Sequence, residues 1–196
     1  DRLVGLKGKE VLEIGCGDGF FLQAISKMEA GAIGFEPSAT FTLAAAFPGI
    51  QVFNEHFDFT RPRGLPSDPD MVVMRHVLEH LPSPRQQLGS LSTSCFPDAP
   101  PGHIFLEVPN AHQILKDSLF FDFYHDHIQY FSLGSLYRLL TDSGWLPVAN
   151  LGPGEEFLQV LSKNAGGADS GRQPPLLDQQ KISSTNHEVL SDATRF

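Results

Sequence analysis

Three groups of residues in this chain have the types and spacings that chemistry requires. The first is Gly15-Cys16-Gly17-Asp18-Gly19, preceded by Glu13 and answered further on by Glu36-Pro37. Glycines at alternate positions let a backbone turn sharply off a strand and approach a ligand without Cβ clashes. A helix that follows offers free N–H groups. A carboxylate after the next strand stands across the same crevice, within reach of two ribose hydroxyls. The second group is His76, Glu79 and His80, in the H-x-x-E-H order of a helical zinc site. The third is Tyr124-His125-Asp126-His127, inside the aromatic-rich stretch Phe120–Ser132. An imidazole takes a proton near neutral pH, and a neighbouring carboxylate can fix its tautomer and raise its basicity.

The elements that must position these groups follow from the hydrophobic pattern. Glu10–Ile14 is a short apolar run that stops at the glycines and reads as a buried strand. Phe20, Phe21, Leu22, Ile25 and Met28 recur at helical spacing, and Gly31 is expected to end that helix. Ala32–Phe35 is a second strand, Ser38 a candidate N-cap for a helix through Ala46, and Ile50–Phe53 a third strand. Residues 61–69, rich in proline, read as a loop. Asp70–Met74 and His103–Val108 are further strands, with a helix over Pro84–Cys95 between them. Ser132 caps a helix with Leu133, Leu136, Leu139 and Leu140 on its apolar stripe, closed by Ser143-Gly144. Trp145–Leu151 and Phe157–Ser162 pair across Gly152-Pro153-Gly154. This alternation predicts an α/β, Rossmann-like doubly wound sheet, mostly parallel with an antiparallel last strand. Its ligands bind beyond the carboxyl ends of the strands. The domain is expected to span 1–163, and the polar stretch 164–196 to form a flexible tail.

Composition excludes several classes. The 196 residues carry a formal net charge of −9, which argues against a partner held by phosphate neutralisation and against an anionic membrane surface. No apolar run reaches the roughly 20 residues of a membrane span. Two cysteines make no disulfide framework, so a reduced, cytoplasmic setting is expected. The remaining partner class is a small molecule. The chain begins at Asp1 rather than Met, which points to a cut or to an upstream segment.

The dehydrogenase fingerprint needs a third glycine where this chain has Phe20. The G-x-G-x-G spacing, with Glu13 two residues before the first glycine, instead resembles motif I of the class I S-adenosylmethionine (SAM) methyltransferases. The resemblance covers roughly residues 8–163. It implies that Glu13, Gly15, Cys16, Gly17 and Gly19 pass the methionine part of the cofactor. Glu36 and Pro37 would hold the ribose, and Asp58 or the Phe57 backbone would meet the adenine. Arg75-His76-Val-Leu-Glu79-His80-Leu-Pro82 resembles the segment after strand four in the same family, where strand-end residues such as Arg75 and His76 line the crevice. Pro82 and Pro84 break any helix able to hold both histidines, so no metal is expected and Glu79-His80 reads as a bracket for a short helix.

On the acceptor side, Glu107-Val-Pro-Asn110 and Tyr124-His-Asp-His-Ile-Gln-Tyr-Phe-Ser132 resemble the C-methyltransferases of nucleotide-activated keto-deoxysugars. That resemblance implies catalytic roles for Tyr124, Asp126 and His127. His127 would be the base, oriented by Asp126, with Tyr124 beside the acceptor. This chain departs from the pattern in having Asp126 for a glutamate, and Gly152-Pro-Gly-Glu-Glu where a His-Gly-Gly stretch is usual. The 196 residues themselves include neither the family's Cys-rich zinc-binding N-terminal domain nor its large C-terminal domain. A generic O-, N- or C-methyltransferase, a structural or metal-holding pair of His125 and His127, and a non-catalytic SAM- or nucleotide-binding module of a larger biosynthetic protein are the competing readings. A dehydrogenase is disfavoured by Phe20.

Overall fold

Short β-branched and apolar runs between glycine and proline breaks fold here into one twisted sheet with helices on both faces. The computed structural model describes residues 4–60, 62, 65, 68–96, 102–152 and 156–166. Its strands are β1 (Glu10–Ile14), β2 (Gly31–Phe35), β3 (Ile50–Phe53), β4 (Met71–Arg75), β5 (His103–Pro109), β6 (Trp145–Asn150) and β7 (Phe157–Asn164). They lie in the order β3-β2-β1-β4-β5-β7-β6. β1 to β5 are mutually parallel, and β7 runs antiparallel to both neighbours, as the sequence leads one to expect. The winding direction reverses between β1 and β4, and a sheet of this kind opens its ligand crevice at that reversal.

The helices are α1 (Phe20–Ser26), α2 (Phe41–Ala44), α3 (Pro84–Ser94), α4 (Ala111–Lys116) and α5 (Leu133–Asp142). Alternate residues of each strand serve two separate cores, as the period of two in a strand requires. Val11, Met71 and Val73 join Leu22 and Ile25 of α1 and Ala44 of α2. Leu12, Val72 and Met74 join Leu88 and Leu91 of α3, Leu136 and Leu140 of α5, and the fully buried Trp145. The Trp145 indole donates to the Leu88 carbonyl at 3.0 Å, so its one polar atom is satisfied inside the core.

Several boundaries differ from the expectation. Helix α1 stops at Ser26, and the chain turns through Glu29 with φ 59, so Gly31 opens β2 rather than ending the helix. Helix α2 is four residues long with Thr40, not Ser38, at its N-cap. Asp70 lies before β4, where its carboxylate accepts from the Glu10 amide at 2.9 Å. Strand β7 runs to Asn164, which takes the first residue of the expected tail into the sheet. Helix α4 was not foreseen; the Asn110 side chain caps it by accepting from the His112 amide at 3.1 Å. Ser132 caps α5 as expected, in a reciprocal box with Ser135. Most of the 61–69 loop, Pro153-Gly154 and residues 167–196 lie outside the described residues.

Candidate active site

The bend after β1 is built by glycines in the left-handed region. Gly15 has φ 74 and Gly19 φ 79, and a Cβ at either would collide with the protein itself, at 2.5 Å from Val77 and 2.6 Å from Ala44. Gly17 differs: with φ 55, it faces open space in which a Cβ would meet nothing within 4 Å. The outer glycines thus close the packing, and the middle one leaves the surface of the bend bare. Cys16 contributes backbone only, since its side chain is buried in the core of α1 and α2. Burial pushes its thiol up to about 12, so it stays protonated.

Glu36, at the end of β2, points into this bend. Its Oε2 accepts from the Gly17 amide and its Oε1 from the Ser38 amide, each at 2.8 Å. Burial opposes its charge, but the bonds from Ser38 and Gly17 outweigh burial and hold its carboxyl below the usual range. A carboxylate has about four lone-pair directions, so directions remain for a pair of hydroxyls. Asn54 was missed by the sequence reading. It fixes the turn after Glu36 by donating to the Glu36 carbonyl at 2.8 Å. Pro37 is exposed beside it. Asp58 is exposed after β3, its Oδ1 accepting from Thr60 at 2.9 and 2.7 Å.

Across the reversal point lies a second charged cluster. Arg75 stacks over the Phe21 ring and pairs with Glu107 at 3.1 Å, while Glu13 is 4.0 Å away. Glu13 is buried, and its Oε2 has no hydrogen-bond partner. Burial, only partly offset by Arg75, pushes its carboxyl up to about 8. Glu107 is served better. Burial opposes its ionisation, yet His76, Arg75 and Gln159 together hold it at about 2. His76 takes the left-handed φ of 54 at the end of β4 and reaches Glu107 at 3.3 Å and Glu79 at 3.5 Å. Those contacts push its imidazole up to about 9. The sequence signal for Glu107 was a charge amid an apolar strand, the same signal that picks out Glu13.

The residues expected on the acceptor side lie next to this cluster. A single 3-10 turn, Leu78–His80, stands where a longer zinc-binding helix would have been needed. The chain before α5 is stitched to it: the Glu79 carbonyl accepts from the Ile128 and Gln129 amides, both at 3.0 Å. The His127 ring packs against His80 at 4.8 Å, Tyr124 at 5.0 Å and Tyr130 at 5.9 Å between centroids. Asp126 is exposed and turns to His80, its carbonyl 3.0 Å and its carboxylate 3.9 Å from Nδ1. The Nδ1 of His127 is buried without a partner, so Asp126 does not hold it. His125 is exposed.

Residues 1–150 match the family described as a methyltransferase domain. The chain belongs to that family, as a class I SAM-dependent methyltransferase domain. This methyltransferase is 28% identical over 150 residues to the C-methyltransferase NovU of Streptomyces niveus, covering 74% of this chain and 34% of NovU. It is 29% identical over 158 residues to the ubiquinone biosynthesis O-methyltransferase of Aliivibrio fischeri, covering 71% of this chain and 64% of that enzyme. The chain thus spans less than two thirds of these relatives' length. A SAM-dependent methyltransferase structure from Mesorhizobium loti superposes with a TM-score of 0.64 at 16% identity, covering 83% of this chain and 95% of that one. Among the described residues, no helix is long and apolar enough to cross a membrane.

Proposed function

We propose that this methyltransferase moves the methyl group of SAM to a small-molecule acceptor, with a nucleotide-activated keto-deoxysugar as the first acceptor class to try. The observation that carries the reading is the pair of carboxylates flanking the glycine bend. Glu36 keeps free lone pairs for a ribose diol. Glu13 presents a buried, unpartnered oxygen suited to the ammonium of the methionine part, and the bare surface at Gly17 leaves room between them. These residues fit the cofactor. When bound, the cofactor supplies an electrophilic methyl on a sulfonium.

The chain's own work lies on the other side of the crevice. His127 is the residue through which the acceptor is activated. An unassisted imidazole there does so by taking the proton the acceptor sheds as its carbon or oxygen forms the new bond to methyl and the S–CH3 bond breaks. Tyr124 and Tyr130 flank the imidazole. Asp126 acts through its contact with His80. The likeness to NovU supports a carbon as acceptor, and the likeness to the ubiquinone enzyme supports an oxygen. Both sets of acceptors enter the same assay.

Calorimetry with SAM, S-adenosylhomocysteine and NAD tests the cofactor half. Binding of the first two without NAD is expected, and binding of NAD alone would overturn the reading. Transfer of labelled methyl to nucleotide-activated keto-deoxysugars and to catechols tests the acceptor half. No turnover on either class, with cofactor binding intact, would favour a binding module.

A further inference from the structure

The neighbourhood of Glu79 holds more donor atoms than base catalysis needs. Glu79 is 1% exposed, and neither of its carboxylate oxygens has a hydrogen-bond partner. Its nearest cation, the His76 imidazole at 3.5 Å, lies closer to Glu107, at 3.3 Å. The Nδ1 of His127 is likewise buried and unpartnered. One ligand atom each from Glu79, His80 and His127 lies within 4.8 Å of the others. His76 meets part of the Glu79 charge; the carboxylate oxygens and the His127 Nδ1 are still buried polar atoms without a hydrogen bond, which a bound ion would complete.

The surrounding bonds prepare these atoms as donors. The His80 Nδ1 faces the Asp126 carbonyl at 3.0 Å. A carbonyl oxygen only accepts, so Nδ1 carries the proton and Nε2 keeps its lone pair. This backbone partner on the far ring nitrogen is the arrangement that orients metal-bound histidines. The two backbone bonds into the Glu79 carbonyl tie the 3-10 turn to the His127 segment, so the three donors are held near one another. The sequence reading set aside Glu79 and His80 because no helix there holds both histidines of H-x-x-E-H. The structure supplies the second imidazole from His127, 47 positions further on in the numbering of the chain, in place of His76.

We infer that Glu79, His80 and His127 bind one divalent transition-metal cation, zinc or manganese, whose open positions take an oxygen of the methyl acceptor. Two imidazoles and one carboxylate suit such ions; calcium prefers oxygen ligands alone. Nitrogen and oxygen ligands stand about 2.0–2.2 Å from zinc, roughly 3.3 Å from one another. A donor separation of up to 4.8 Å therefore closes by up to about 1.5 Å on binding. Resting on the reading of His127 as the acceptor-activating residue, this changes the means. The ion draws charge from the acceptor oxygen, and the proton shed by the acceptor passes to water while the methyl bond forms and the S–CH3 bond breaks. Tyr124 then borders the bound acceptor.

The test uses the full chain, stripped with a chelator and dialysed. Titration with ZnCl2 or MnCl2, followed by calorimetry and by metal analysis after desalting, is expected to give one ion per chain at micromolar affinity or tighter. Cobalt(II) loading is expected to give a visible spectrum with nitrogen ligation. Glu79→Gln, His80→Ala and His127→Asn should each weaken binding at least about 30-fold, in the range of single-ligand or outer-shell losses. The exposed His112→Ala should leave it unchanged. Failure of the wild-type chain to bind either ion at millimolar concentration, or binding untouched by all three substitutions, would overturn the site. If variants fail to fold, the wild-type titration and the cobalt spectrum decide alone. A chain that binds no ion, turns over after chelation and loses turnover in His127→Ala would sink the metal but leave the proposed function standing. A chain that binds the ion yet keeps turnover in His127→Ala would sink the acceptor role instead.

Discussion

The residues proposed to hold the cofactor and those proposed to face the acceptor are made of different material. Around the glycine bend, strand ends and backbone amides do the holding: Glu36 is fixed by the Gly17 and Ser38 N–H groups, and Gly15 and Gly19 are wedged against Val77 and Ala44. Around His127, side chains on turns do the work, beneath a segment whose Phe120, Phe121 and Tyr124 stand exposed. A backbone cradle tolerates changes of side-chain identity around it and suits a ligand common to a whole family. A side-chain wall can be re-cut residue by residue and suits an acceptor that differs between members.

If that division holds, the largest effect confined to one half comes from His127→Ala. Turnover is expected to fall about 10²–10⁴-fold, the usual worth of a positioned activating group, with SAM affinity by calorimetry within about threefold of wild type. A parallel loss of both would show that the halves are not separable. Glu36→Ala is expected to cost about 100-fold in SAM affinity, since charge-assisted hydrogen bonds are each worth about 1.5–3 kcal/mol. Its effect on turnover should vanish at saturating cofactor.

Glu13→Gln is smaller, about tenfold in cofactor affinity, a figure in line with one partly offset charge contact, and carries a pH signature. A carboxyl that titrates at about 8 in the fold but at 4.5 when free keeps a proton that the unfolded chain has shed. The unliganded domain therefore loses stability as pH rises from 4.5 to about 8. Urea unfolding across that window should lose this slope in Glu13→Gln. An ammonium placed beside Glu13 favours its ionised form, so cofactor binding should release a proton, seen as buffer-dependent heat in wild type and absent in the variant. The smallest effect belongs to Ser132→Ala, which removes the α5 cap at a cost of about 1 kcal/mol. A lowered denaturant midpoint with unchanged SAM affinity is expected.

The strand, the glycine bend and the placement of Glu36 beside it were legible in the sequence because their determinants are local. Glycines that need positive φ, an acid before them and an acid at the end of the next strand are all fixed by a few neighbouring positions. The sheet order followed from the alternation of apolar runs for the same reason. The acceptor half joins Glu79 to His127 and Asp126 to His80, pairs brought together by tertiary packing that no spacing rule encodes. Helix α4 was missed because Asn110 caps it just past a strand ending in Pro109, a residue that reads as a break. The H-x-x-E-H stretch holds only the short helix expected of it, a single turn, with His76 before it in a left-handed kink toward Glu107.

Among the described residues, the last strand in chain order sits inside the sheet, not at its rim. Strand β7 lies between β5 and β6, so while the chain is growing β5 has no partner on that side and β6 has nothing to join. Gln159, which secures Glu107 at 2.6 Å, arrives only with that strand. The charged floor beneath His76 is therefore finished by the final insertion, and a fragment ending at residue 150, where the family match stops, would leave β5 as a bare adhesive margin. One strand thus both closes the sheet beside β5 and completes the hydrogen bonding of Glu107.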